Sequence, residues 1–261
     1  MSHHIVEVRD LCYQYAEGTA ALQGVSFRIA HGEAVAIVGA NGAGKSTLLQ
    51  HLTGCLLAQK GSVQVGETIL EQRTLPIIRR SVGMVFQDAD DQLFMPTVFD
   101  DVAFGPVNMG LPPEQVQARV DNALTTVGMS HLAQRAPYRL SGGEKRAVAI
   151  ATVLAMSPDV LVMDEPSAGL DPRARRRLIG MLAGFEHTRI IATHDLDMAL
   201  EFCSRTIVLH GGTVAADGAT LDVLTDAAIL NRCGLEKPLS LGACPVCSKS
   251  GHATRHEAKH L

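Results

Sequence analysis

At 261 residues the chain can bury a substantial core, as one large domain or two small ones. Hydrophobic residues at 46% and charged residues at 19% are ordinary for a globular protein. The net charge of −4 provides no basic footprint for a nucleic acid, and the cluster Arg173, Arg175, Arg176, Arg177 reads as a solvated helix face.

No stretch approaches the roughly 20 apolar residues that a membrane-spanning helix requires. Met1-Ser2-His3-His4 lacks the basic-then-apolar order of a secretion signal. The six cysteines are mostly scattered through apolar or helical surroundings, which is the usage of a reducing compartment. A soluble, cytosolic chain is the expectation.

Residues 5–29 alternate loosely between apolar and polar and are broken at Ala16-Glu17-Gly18-Thr19. They predict a short antiparallel β region, continued by Ser62–Val65 and Thr68–Leu70. Tyr13 and Tyr15 are placed on one strand face. They read either as a half-buried aromatic pair or as a ring placed under a purine base.

Ala34–Val38 is an apolar run, followed by Gly39-Ala-Asn-Gly-Ala-Gly-Lys-Ser-Thr47 and then by helical spacing from Leu48. A buried strand, a glycine loop and a helix make a phosphate cradle. Gly39, Gly42 and Gly44 let backbone N–H groups approach an anion, and the helix start adds unpaired donors. Lys45 is placed to reach terminal phosphates, and Ser46 to reach a Mg²⁺ held by them.

Ser81–Phe86 reads as a buried strand with Gln87 at its carboxyl end, the edge that faces ligands in parallel sheets. Gln87 is either a loop hydrogen-bonder or a group near Mg²⁺ or water. Asp88–Pro113 looks irregular, and Glu114–Val127 has helical periodicity, so a mostly helical insert is expected to about residue 150. Ser141 and Glu144 have capping-box spacing; Gly142 and Gly143 between them suit close approach to an anion as well as a plain cap.

Val160–Met163 predicts a strand buried on both faces, ending in Asp164-Glu165. Two adjacent acids there are costly unless a cation or water pairs them. Asp164 can serve the Mg²⁺ shell while Glu165 points at a water beyond the γ-phosphate. Arg189–Thr193 is a further strand, ending in His194 on the edge shared by Gln87 and Glu165; residues 205–218 look like a terminal hairpin.

With those residues read, positions 5–235 resemble the ATP-binding subunits of ABC transporters. Gly39–Thr47 is similar to Walker A, Gln87 to the Q-loop glutamine, Leu140–Arg146 to the signature motif and Val160–Glu165 to Walker B with its catalytic glutamate. Ser167–Asp171 resembles the D-loop, His194 the switch histidine and Tyr15 the adenine-stacking aromatic. The resemblance implies an α/β P-loop ABC ATPase fold with a RecA-like core, an antiparallel β subdomain and a helical subdomain at about 88–150. An ATP-binding domain over 1–237 would precede a tail at 238–261. Departures are Glu144 where many relatives have glutamine, Ala147 for a basic residue and Ala89 for proline.

The implied activity is ATP hydrolysis in a head-to-tail homodimer. Tyr15, Gly39, Asn41, Gly42, Ala43, Gly44, Lys45, Ser46 and Thr47 of one copy would bind ATP, opposite Ser141, Gly142, Gly143 and Glu144 of the other. Ser46, Gln87 and Asp164 would hold Mg²⁺, and Glu165, His194, Lys45 and Gln87 would carry the chemistry. Phe86–Phe94 with Asp101–Pro106 resembles the energy-coupling-factor group, most closely its cobalt and nickel importers. That implies a peripheral subunit at the cytoplasmic membrane face, docked through the segment after Gln87. Its partners would be a transmembrane energy-coupling subunit and a substrate-binding membrane subunit. Vitamin import, or a soluble non-transport ABC ATPase, are the rival expectations. Outside the resemblance, Cys244-Pro-Val-Cys247 with His252, His256 and His260 is either a transition-metal site or a polar tail whose histidines meet no ion.

Overall fold

The computed structural model describes residues 4–185 and 187–242. The tail ligand set Cys244, Cys247, His252, His256 and His260 lies outside them.

Strands β1 (His4–Gln14) and β2 (Ala20–Ala30) pair antiparallel around a turn, and β3 (Ala34–Val38) leaves them for a second sheet. The loop at 39–44 then enters α1 (Lys45–Leu52). Strands β4 (Lys60–Val65) and β5 (Thr68–Ile69) return to complete a four-stranded antiparallel sheet, ordered β2-β1-β4-β5. Helix α2 (Leu75–Ser81) leads into β6 (Val82–Val85).

Three helices follow: α3 (Val98–Asn108), α4 (Pro113–Thr126) and α5 (Gly142–Leu154). They pack on one another to form the helical subdomain. Strand β7 (Val160–Asp164), α6 (Pro172–Ala183), β8 (Thr188–Ala192), α7 (Leu196–Phe202) and β9 (Arg205–His210) restore strand–helix alternation. Antiparallel β10 (Thr213–Ala219) closes the edge, before short helices α8 (Thr220–Thr225) and α9 (Ala227–Arg232). The second sheet runs β10-β9-β3-β8-β7-β6 and is parallel from β9 to β6.

Every residue of β3 and β7 is buried, because the parallel sheet is covered on both faces. Strand periodicity divides the core accordingly. Val35, Ile37, Val160 and Val162 face α1 and the antiparallel sheet, where Leu48, Leu49 and Leu11 pack. Ala36, Val38, Leu161 and Met163 face the other helices. This doubly covered parallel sheet, with β subdomain and helical subdomain attached, is the expected ABC ATPase fold.

One expectation fails: Asp88–Pro113 is not irregular throughout, since α3 occupies eleven residues of it. Thr97 caps the helix by accepting from Asp100 N–H at 3.1 Å. Pro106 lies inside it, and the backbone bonds Met109 N–H to Gly105 and Leu111 N–H to Pro106 hold the final turn. Helix α2 also forms where the sequence suggested no element; Pro76 occupies its first turn, where a missing N–H costs nothing.

Candidate functional site

The candidate nucleotide cradle is built by glycine conformations and close packing. Gly44 has φ +103°, and a Cβ there would lie 2.6 Å from the Ala21 carbonyl oxygen. Gly39 is restricted differently: its Cβ would meet the Leu209 oxygen at 2.4 Å. Both glycines let the loop lie against β2 and β9. Lys45 is the first residue of α1 and is 8% exposed. Its Nζ donates to the Gly39 and Ala40 carbonyls at 2.8 and 3.3 Å, so the ammonium is held over the loop before any phosphate arrives.

A cleft of about 660 Å³ opens above this loop. Gly39, Asn41, Gly42, Gly44, Lys45, Ser46 and Thr47 form its floor. Gln87, Asp164, Glu165 and His194 reach it from the carboxyl ends of the neighbouring strands, and Tyr15 forms its wall. Tyr15 OH lies 3.0 Å from Thr47 Oγ1, and the Tyr13 ring meets it edge-on at 5.1 Å. Ala43 is the exception among the loop residues. Its side chain is buried in the core, and it serves the loop through its carbonyl, which accepts from Gly212 N–H at 3.2 Å.

Asp164 ends β7 with Oδ1 buried and without a hydrogen-bond partner. Burial pushes its carboxyl pKa up; the Ser46 hydroxyl hydrogen bond opposes this and the neighbouring Glu165 charge adds to it. An orphaned carboxylate oxygen beside a hydroxyl and an amide is the hard oxygen set that suits Mg²⁺. Ser46, Gln87 and Asp164 therefore fit the cation that accompanies a nucleoside triphosphate. Among the described residues no group of three or more His, Cys, Asp or Glu forms a further metal centre.

Glu165 follows with φ +45°, a left-handed conformation costly for a residue with a side chain. Its N–H donates to the Ala192 carbonyl at 2.8 Å, which holds the backbone in place. Glu165 Oε2 accepts from Thr193 Oγ1 at 3.2 Å and from His194 N–H at 3.1 Å, and lies 2.7 Å from His194 Nδ1. These bonds all end on Oε2, so Oε1 can accept from a water. Thr193 is a buried partner that the sequence reading missed; its only signal was its place at a strand end beside His194.

Ser141–Glu144 do not line this cleft, although Gly142 shares an adjoining pocket with Ser46, Gln87 and Asp164. The capping box forms in both directions: Glu144 N–H reaches Ser141 Oγ at 3.4 Å, and Ser141 N–H reaches Glu144 Oε2 at 2.8 Å. Gly142 has open space at its Cβ position, and Ser141 and Gly142 are exposed. A single chain thus carries a glycine loop before α1 and a second helix start, that of α5, with glycine access.

A buried strand, a glycine loop entering α1, and two acids at the end of a second buried strand are the arrangement of a P-loop nucleoside triphosphatase. The family model described as ABC transporter matches residues 22–168. A candidate ABC transporter ATP-binding protein of Geobacter sulfurreducens is 64% identical over 95% of this chain and 100% of its own length. The energy-coupling factor transporter ATP-binding protein EcfA of Methanothermobacter thermautotrophicus is 46% identical over 90% of this chain and 77% of its own. Among solved structures, CbiO1 of Clostridium perfringens, described as part of the ABC transporter complex CbiONQ, superposes with a TM-score of 0.77 at 40% identity. That match covers 88% of this chain and 94% of CbiO1. The chain belongs to the ABC transporter family as an ATP-hydrolysing, ATP-binding subunit of the energy-coupling-factor type.

Proposed function

We propose that this subunit powers import of a transition metal ion, cobalt or nickel, through separate membrane partners at the cytoplasmic face of the membrane. Those partners are a transmembrane energy-coupling subunit and a substrate-binding membrane subunit. The resemblance of Phe86–Phe94 with Asp101–Pro106 to the cobalt and nickel importers carries the cargo assignment, and the likeness to CbiO1 over most of both chains supports a transporter role. Among the described residues no helix is long and apolar enough to cross a membrane.

The attachment surface we assign lies on the segment after Gln87. Asp101 is buried, and its Oδ1 accepts from Phe94 and Met95 N–H at 3.0 Å each. This pins a turn that presents Phe94, 63% exposed, edge-on to Phe104 at 5.0 Å. An exposed aromatic pair held by a buried carboxylate suits a partner's apolar helix.

In turnover, Gly39–Thr47 bind the triphosphate through loop N–H groups, with Lys45 offsetting charge on the terminal phosphates. Tyr15 supports the base. Mg²⁺, when bound, supplies charge neutralisation and orients the phosphates. Glu165 positions and polarises the attacking water through Oε1, while Thr193 and His194 fix its orientation through Oε2. His194 Nδ1 is engaged with Glu165, so Nε2 is the nitrogen that can reach the γ-phosphate. Ser141, Gly142, Gly143 and Glu144 of a second copy close the site from the opposite side, which makes ATP the adhesive of a head-to-tail homodimer. A Cys244, Cys247, His252, His256 metal site in the tail would be an accessory to this role; equilibrium dialysis with and without the tail tests it.

The deciding experiment measures cell cobalt and nickel in wild type and in a chromosomal Glu165→Gln strain. A drop in one metal, restored by the wild-type gene, is the expected result and names the cargo. Unchanged metals would overturn the metal assignment and direct attention to vitamin uptake, since the name of the EcfA relative specifies no cargo.

A further inference from the structure

Arg146 is an unusual residue for its surroundings. It lies in the second turn of α5 and is 7% exposed, yet among the described residues no carboxylate forms a salt bridge with it. Its guanidinium is used on the backbone instead. Nη1 donates to the Phe86 carbonyl at 2.6 Å and Nη2 to the Gln87 carbonyl at 2.5 Å. Asp88 and Asp164 add favourable charge nearby. A planar fork gripping two consecutive carbonyls sets both the position and the direction of the peptide between them.

A second tether runs in parallel. Gln92 Oε1 accepts from Phe86 N–H at 3.1 Å, while its Nε2 donates to the Ala149 carbonyl at 2.8 Å and to Thr152 Oγ1 at 2.7 Å. The peptides flanking Gln87 are therefore bonded to α5 from two sides. The same helix carries Ser141–Gly143 at its exposed start, and Gln87 reaches into the nucleotide cleft. A shift of α5 has to move the Gln87 backbone, and a shift of Gln87 has to pull on α5.

We infer that Arg146 is a positioning residue that couples Gln87 at the cation site to the signature helix, with Gln92 as the second strut. This rests on the proposed role of Gln87 near Mg²⁺. Burying a guanidinium is expensive even with Asp88 and Asp164 nearby, so a purely apolar contact would hold the helix at lower cost. The arrangement instead transmits position and direction.

The test is a double-mutant cycle on the full-length chain, reading ATP turnover, nucleotide KM, the Mg²⁺ concentration for half-maximal activity and, apart from turnover, Mg²⁺ affinity by calorimetry with a non-hydrolysable ATP analogue bound. Arg146→Lys keeps the charge but cannot span both carbonyls. It is expected to lower kcat about tenfold, raise the Mg²⁺ requirement, and change the nucleotide KM less than about twofold. Combined with Gln87→Ala, it should add no further loss, because both changes disable the same connection. Multiplicative losses in the double variant, or wild-type turnover in Arg146→Lys, would overturn the inference. If Arg146→Lys does not fold, Gln92→Met cuts the second strut and carries the same expectations. Wild-type turnover in Gln87→Ala alone would instead remove the assumed role of Gln87, and this inference with it.

Discussion

Glu165 and Asp164 are adjacent, yet their surroundings give them opposite needs. Glu165 has its Oε2 fully engaged and holds a left-handed backbone. Glu165→Gln keeps that geometry and removes the charge that polarises a water. It should bind ATP with near-normal affinity and lose turnover by about 100-fold or more, read by nucleotide titration and phosphate release. Asp164 has a buried oxygen without a partner. Asp164→Asn removes a disfavoured buried charge, so the nucleotide-free protein should melt about 3 °C higher while Mg²⁺-dependent activity disappears; a lower melting point would contradict the assignment. His51 gives a pH signature. It is fully buried, its Nδ1 lies 2.7 Å from the Thr47 carbonyl, and burial holds its pKa below the ordinary value of 6.5. Below that value the unfolded chain takes up a proton that the folded chain refuses. The stability contributed by neutral His51 is thus present above about pH 6.5 and is lost as pH falls below it toward the folded value. His51→Asn should flatten the urea midpoint between pH 7.5 and 5.5, where the wild type declines.

Among the elements, α5 tests how local chemistry and function share residues. Ser141→Ala removes the cap and should cost about 1 kcal/mol in urea unfolding. Glu144→Gln keeps an acceptor for the Ser141 N–H and should melt within about 2 °C of wild type, so the departure from glutamine at this position is structurally neutral. This box could be read directly from the spacing of Ser141 and Glu144, because a capping box involves four consecutive positions. Helix α3 could not be read with equal ease. The Thr97–Asp100 cap is a local signal, but Pro106 and the crowd of Asp and Phe residues argue against a helix when propensity alone is weighed. Packing on α4 and α5, where Val98 and Val102 are fully buried, outweighs that propensity.

For the molecule as a whole, the proposed homodimer makes the cleft half of a site, since Ser141–Glu144 do not line the cleft that holds Lys45. Glu165→Gln with ATP and Mg²⁺ should therefore sediment as a dimer, and the nucleotide-free chain as a monomer. The aromatic pair makes a separate prediction. Phe94→Ser with Phe104→Ser should leave soluble ATPase activity within about twofold and deplete the protein from the membrane fraction, since neither ring lines the nucleotide cleft.

The sequence by itself determined the features set by neighbours along the chain. The glycine loop before Lys45, the apolar runs of β3 and β7, the acids at the end of β7 and the cap of α5 all depend on spacings of a few residues, and each is present where the spacing placed it. What only the tertiary structure decided depends on which strands become neighbours. Pairing of β7 with β8 brings Thr193 to Glu165, and closure of the helical subdomain on β6 brings Arg146 to the Gln87 peptide. The same packing strips Asp164 of water and leaves its oxygen without a partner. No local periodicity encodes these contacts, because their free energy comes from burial and alignment of groups far apart in the chain.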